Sequence, residues 1–213
     1  MAFYLNDIYT IVLIFSSIVF TILIFIDKNR ILLSLEYFLN QKYSVIYHRN
    51  DSFLYKLCVS INTLIILSIL TSFYILYIQN GVMSLYVFMR ILCVLFAFFL
   101  FKLMINYFLG NLFEALYHSK KYYYGYSTSL FVLSVVFFPF ILFISYYNDG
   151  LMIERVSLYI FYLFLFLYFI LKIILLNRLK LFKISFIFYN ILYLCAVEVL
   201  PYVGLRELLE LIH

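Results

Sequence analysis

Two ionisable side chains fall inside long apolar runs of this 213-residue chain, Arg90 and Glu198. A charge at depth in hydrocarbon costs about 2 to 3 kcal/mol or more, so each needs a partner or a polar cavity. Counted at about 1.5 Å per helical residue, Arg90 lies roughly 12 Å and Glu198 roughly 8 Å from the same outer face of the membrane. That match in depth allows two readings. In one, the pair is a clasp between two helices; in the other, Glu198 is a proton or ligand site gated by Arg90. Asn190 and Pro201 flank Glu198, and a proline takes the donor away from the carbonyl one turn before it. Together they outline a small polar pocket opening to the outer side.

A second group is a polar stripe. Lys102, Asn106, Gly110, Glu114 and His118 recur every four residues, a spacing that drifts by about 40° per step and winds slowly along one helix edge. Such an edge is either a cytoplasmic docking surface or the solvated face of a helix leaving the membrane. His48 and Arg49 with Asp51, and His118 with Glu114, would form an acid/base or metal site for a lipid headgroup only if distant loops converged; residues at a membrane surface explain them more simply. The basic and aromatic run from His118 to Tyr124 suits anchoring to anionic lipid. Cys58, Cys93 and Cys195 sit in apolar runs without any CxxC spacing, as buried small hydrophobes do. The chain holds no Gly-rich phosphate loop, HExxH or GxSxG, so no catalytic residue, metal or cofactor is assigned.

The composition sets the solvent these residues occupy. Apolar residues make up 68% of the chain and charged residues 12%, with a mean hydropathy of +1.10, whereas soluble domains hold about 45 to 50% and about 25%. A water-facing surface cannot be built from this mixture, so the net charge of +5 does not point to nucleic acid. Only 5 Gly and 2 Pro stand beside 26 Phe and 23 Tyr, which argues against a β-barrel with its frequent turns and alternating polarity. Backbone groups in lipid must bond within their own segment, so these Phe-, Tyr- and Ile-rich runs are helical although they would favour strands in water. The chain is therefore expected to be all-α, a single polytopic membrane domain over residues 1–213. Six spans of suitable length fall near residues 8–26, 57–78, 82–101, 127–147, 153–176 and 181–203.

The basic residues assign the orientation. Twelve of the 15 Lys and Arg lie in the first, third and fifth connections; Arg155 and Arg206 lie on the other side, and Arg90 is inside span three. The rich side is the cytoplasm, which leaves both termini in the periplasm. In the first connection, about residues 31–40, Ile31, Leu32, Leu35, Phe38 and Leu39 share one helical face beside Lys28, Arg30 and Lys42. That pattern describes either an amphipathic helix in the cytoplasmic interface or a connector packed on the bundle. Before span two, Asn50, Asp51 and Ser52 offer N-caps.

The segment Leu192-Tyr193-Leu194-Cys195 followed by Glu198-Val199-Leu200-Pro201 resembles the C-terminal signature LYLC-x-x-E-[IV]-L-P of a Bacteroidota inner-membrane family defined as a domain of unknown function. Arg49 and Phe53, Gly110 with Phe113-Glu114, and Phe138-Pro139 are further marks of the likeness. It extends from Arg49 to Val203 and leaves out the first span and its loop. The resemblance implies a bacterial inner-membrane protein and places Glu198 and Pro201, but not Arg90, in the family pattern; it brings no established activity.

Two function classes remain. A bundle with bulky aromatic faces and almost no extramembrane mass suits a non-catalytic subunit that partners other membrane proteins in an envelope assembly, with the lipid bilayer as its other contact. Span five, aromatic all round, faces either lipid or such a partner. The alternative is a small transporter using the pocket around Glu198; its halves share no motif and lack Gly-broken helices. For the clasp, Glu198→Ala lowers abundance or detergent stability and adding Arg90→Ala recovers part of the loss; fully additive losses in the double variant exclude it.

Overall fold

A computed structural model describes residues 5–36, 53–79, 85–112, 116–146 and 150–178, all of which belong to helices. Five helices result: α1 Leu5–Leu35, α2 Phe53–Gln79, α3 Leu85–Leu112, α4 Leu116–Tyr146 and α5 Gly150–Arg178. All five are long and apolar enough to cross a membrane. The chain is thus an all-α, multi-pass membrane protein, as its composition requires. The sixth expected span, residues 181–203, lies outside the described residues.

The helices alternate up and down, and contacts at both ends fix that order. At one end Tyr9 of α1 meets Ser72 and Phe73 of α2, Tyr146 of α4 donates to Thr10 Oγ1 at 3.1 Å, and Tyr74 of α2 stacks on Phe161 of α5 at 4.6 Å. At the other end Arg30 meets Tyr55 and Lys102 meets Tyr126. This second end carries Arg30 and Lys102 and is called the basic end below.

Helices α2 and α4 form the centre, each touching all four of the others. Their sequences explain why. Among the described residues helix α2 buries the most small polar side chains, namely Asn62, Thr63, Ser68, Thr71 and Ser72. A polar group facing lipid would lack partners, so this face turns inward, and small side chains there let helices approach closely. Most of these hydroxyls donate back to a carbonyl three or four residues earlier, as Ser68 does to Leu64 at 2.7 Å and Ser129 of α4 to Gly125 at 2.7 Å. Around them Ile66, Ile69, Leu70, Ile91, Leu95, Phe137 and Ile141 close the core.

Helix α1 is interrupted once. Asp27 adopts an extended backbone (φ −161°, ψ 88°), and its Oδ1 accepts the Arg30 N–H at 2.9 Å. This is the N-cap arrangement, in which a side-chain oxygen takes one of the orphan donors at the start of a new helical segment. The segment after Asp27 turns Arg30, Ile31 and Ser34 inward and leaves Leu32 and Leu35 exposed. The expected apolar face of the 31–40 segment is therefore split: Ile31 packs on the bundle against Leu23, Tyr55, Val59 and Phe131, while the two leucines point outward. Residues 37–40 and the Asn50-Asp51-Ser52 caps lie outside the described residues.

Candidate functional site

Three places bring polar chemistry into the apolar bundle. The first is the basic end. Lys102 on α3 is 1% exposed, and its Nζ stands 3.8 Å from the centre of the Tyr126 ring on α4. Tyr126 stacks on Tyr122 one turn earlier at 6.4 Å and meets Tyr168 of α5 edge-on at 6.4 Å. Lys172, one turn beyond Tyr168, places its Nζ 5.6 Å from that ring, and the two ammonium groups repel each other across the cluster. Asn106, one turn after Lys102, is 5% exposed. On the far side Arg30 is also buried, its guanidinium carbon 3.9 Å above the Tyr55 ring. Each cation thus sits on the electron-rich face of a tyrosine, a contact worth about 2 kcal/mol or more once water is excluded.

This corrects the polar stripe in two respects. Lys102 and Asn106 do not form a solvated face; they turn into the bundle, where a ring and neighbouring polar groups replace water. Nor does His118 share an edge with Lys102, Asn106 and Gly110, because these three lie on α3 and His118 belongs to α4, which begins at Leu116. The side chains of Gly110, Glu114 and His118 are outside the described residues, as are His48 and Arg49. The signal for the cluster was present as Tyr122, Tyr126 and Tyr168 four residues from one another or from a lysine. What the spacing could not give is which helices meet.

The second place is Arg90. It is exposed at the end opposite the basic one, with its guanidinium carbon 5.0 Å from the Tyr86 ring one turn earlier. The residues expected beside it, Glu198, Asn190 and Pro201, lie outside the described residues.

The third was not singled out in the sequence. Near the middle of α1 and α2, Ser16 donates to Asn62 Oδ1 at 2.7 Å; both residues are at least nine-tenths buried. Beside them a cavity of about 150 Å³ is lined by Ser16, Ser17, Phe20, Thr21, Asn62, Val135 and Phe138. Its α4 wall, Val135 and Phe138, occupies the turn that leads into Pro139, the proline inside that helix. Among the described residues no group of three or more His, Cys, Asp or Glu is placed to hold a metal.

The lysine cluster yields a measurable coupling. In a double-mutant cycle of Lys102→Met and Tyr126→Leu, read by unfolding in mixed micelles, an interaction energy of about 1 to 2 kcal/mol is expected. A cycle that closes at zero would mean the ammonium gains nothing from the ring.

No curated protein and no solved structure matches the chain. The model of one protein family does, over residues 9–209. That match begins within α1, so the first span and its loop lie inside the family's domain, contrary to the expectation that they fall outside; an aliphatic span carries no short motif by which to recognise it. The chain belongs to the family described as a domain of unknown function (DUF4271).

Proposed function

We propose that this protein is a non-catalytic inner-membrane subunit or partner of a bacterial envelope assembly, in the Bacteroidota, and that it docks on other membrane helices through the outer face of α5. The supporting observation is a stripe of exposed side chains: Tyr159 (69%), Tyr162 (52%), Phe166 (65%), Phe169 (58%) and Ile173 (55%). Their spacings alternate between three and four residues, the seam that a second helix meets at a crossing of about 20°. The opposite face of α5 is already used, since Phe164, Tyr168 and Leu175 belong to the core.

Lipid tails are as apolar as leucine, so burial alone would not draw a partner onto this stripe. Two features supply a gain that lipid does not. Aromatic rings interlock with geometry worth about 0.5 to 1.5 kcal/mol per pair beyond area. The phenol hydroxyls of Tyr159 and Tyr162 also need acceptors that acyl chains lack, and the polar side chains of a neighbouring helix provide them.

The test is site-specific photocrosslinking in living cells. A benzoylphenylalanine placed at Tyr162 or Phe166 is expected to give a protein adduct of one discrete size, whereas one placed at Phe25, exposed on α1, gives none. Protein-free products from both α5 positions would contradict the docking face.

A further inference from the structure

The cavity between α1, α2 and α4 is a place where the hydrogen-bond inventory is out of balance. Ser16 gives its proton to Asn62 Oδ1 at 2.7 Å, Ser17 gives its own to the Ile14 carbonyl at 2.7 Å, and Thr21 to the Ser17 carbonyl at 2.8 Å. All three hydroxyl protons are spent inside the protein, so their oxygens offer only lone pairs. Asn62 is 3% exposed. Its Oδ1 is engaged by Ser16, and its two amide protons have no acceptor among the described residues. On the opposite wall Pro139 has no N–H to give the Val135 carbonyl, the bond that a residue four positions on makes in a regular helix. One unspent donor group and several acceptors therefore border the same space.

The space is too large for that deficit to be met by one water, which needs only about 10 to 15 Å³ on this measure; a cavity of about 150 Å³ accommodates a benzene-sized ring. No charged residue lines it, so it offers no counter-charge to a phosphate, a carboxylate or an ammonium. Phe20 and Phe138 are aromatic members of its lining. Ser17 and Thr21 are exposed on the outside of α1, so the cavity opens sideways toward the acyl chains and not toward water.

We propose that this seam is a lateral binding site for a lipid-soluble aryl alcohol, a neutral hydroxylated ring carried on an apolar tail. Its hydroxyl oxygen accepts from the Asn62 amide and its proton goes to an acceptor on the opposite wall, while the ring stacks between Phe20 and Phe138 and the tail lies along α1 among the lipids. The pocket expected near Pro201 has a counterpart here, beside the other proline of the chain.

Tritiated 4-decylphenol tests this with the full-length protein in maltoside micelles. Saturable binding to one site per chain is expected, displaced by unlabelled 4-decylphenol and not by decylbenzene, which has the same ring and tail but no hydroxyl. Asn62→Leu is expected to weaken binding about fivefold, the loss of one ordinary hydrogen bond. Val135→Phe, which fills the cavity and leaves the Ser16 to Asn62 bond in place, is expected to abolish it; this variant decides the question if Asn62→Leu does not fold, as judged by circular dichroism and elution position. Absence of saturable binding, equal displacement by decylbenzene, or undiminished affinity in Val135→Phe would overturn the proposal, and the first would mean that the cavity holds only water.

Discussion

Inside a bilayer there is no water to satisfy a polar group, and each arrangement described above answers to that constraint. The backbone meets it by being helical at every described residue but Asp27, where the Asp27 side chain caps the segment that follows. The side chains meet it in three ways: hydroxyls on α2 and α4 bond back to carbonyls of their own helices, cations lie on tyrosine rings, and Ser16 pairs with Asn62 across two helices. Helix order follows from the same demand. The two helices that bury the most small polar side chains form the centre, because only the interior offers such groups partners, and α3 and α5, with the smallest buried shares, are left to face lipid.

The basic end shows how charge is accommodated without becoming surface. Lys102 and Arg30 are almost fully enclosed, and each ends on a tyrosine face. Arg30 is held there by Asp27, whose cap starts the short segment that carries it. A solvated lysine would mark the surface of the bundle; these instead lock α1 to α2 and α3 to α4 at one end, as Tyr9, Ser72, Tyr146 and Thr10 do by neutral hydrogen bonds at the other. Ser72 gives its proton to the Ile69 carbonyl, so Tyr9 is the donor in its bond with Ser72.

The fold class could be read directly from composition, because no soluble or barrel architecture tolerates this sequence. The candidate sites were less legible, for a geometric reason. A spacing of four residues places Lys102 and Asn106 on one edge of a helix, but whether that edge meets water, lipid or another helix depends on packing between elements far apart in sequence. Tyr126 is the residue that turns Lys102 from a solvated cation into a buried one, and nothing in the neighbourhood of Lys102 names it. Asn62 was overlooked because it is uncharged and embedded in an apolar run; a buried amide within a span is nonetheless a polar cost that asks for a partner. Exposure separates the two faces of α5 in the same way, since its aromatic residues look alike in sequence.

The distribution of Lys and Arg predicts that the basic connections all lie on one side of the membrane, the cytoplasmic one. In a variant lacking Cys58, Cys93 and Cys195, single cysteines introduced by Asn80→Cys and by Lys120→Cys can be probed with a membrane-impermeant maleimide in intact spheroplasts and again after lysis. Labelling of the Asn80 position before lysis, and of the Lys120 position only after it, is the predicted result. Labelling of the Lys120 position in intact spheroplasts would place the lysine and tyrosine cluster at the periplasmic face and contradict the orientation on which the account is built.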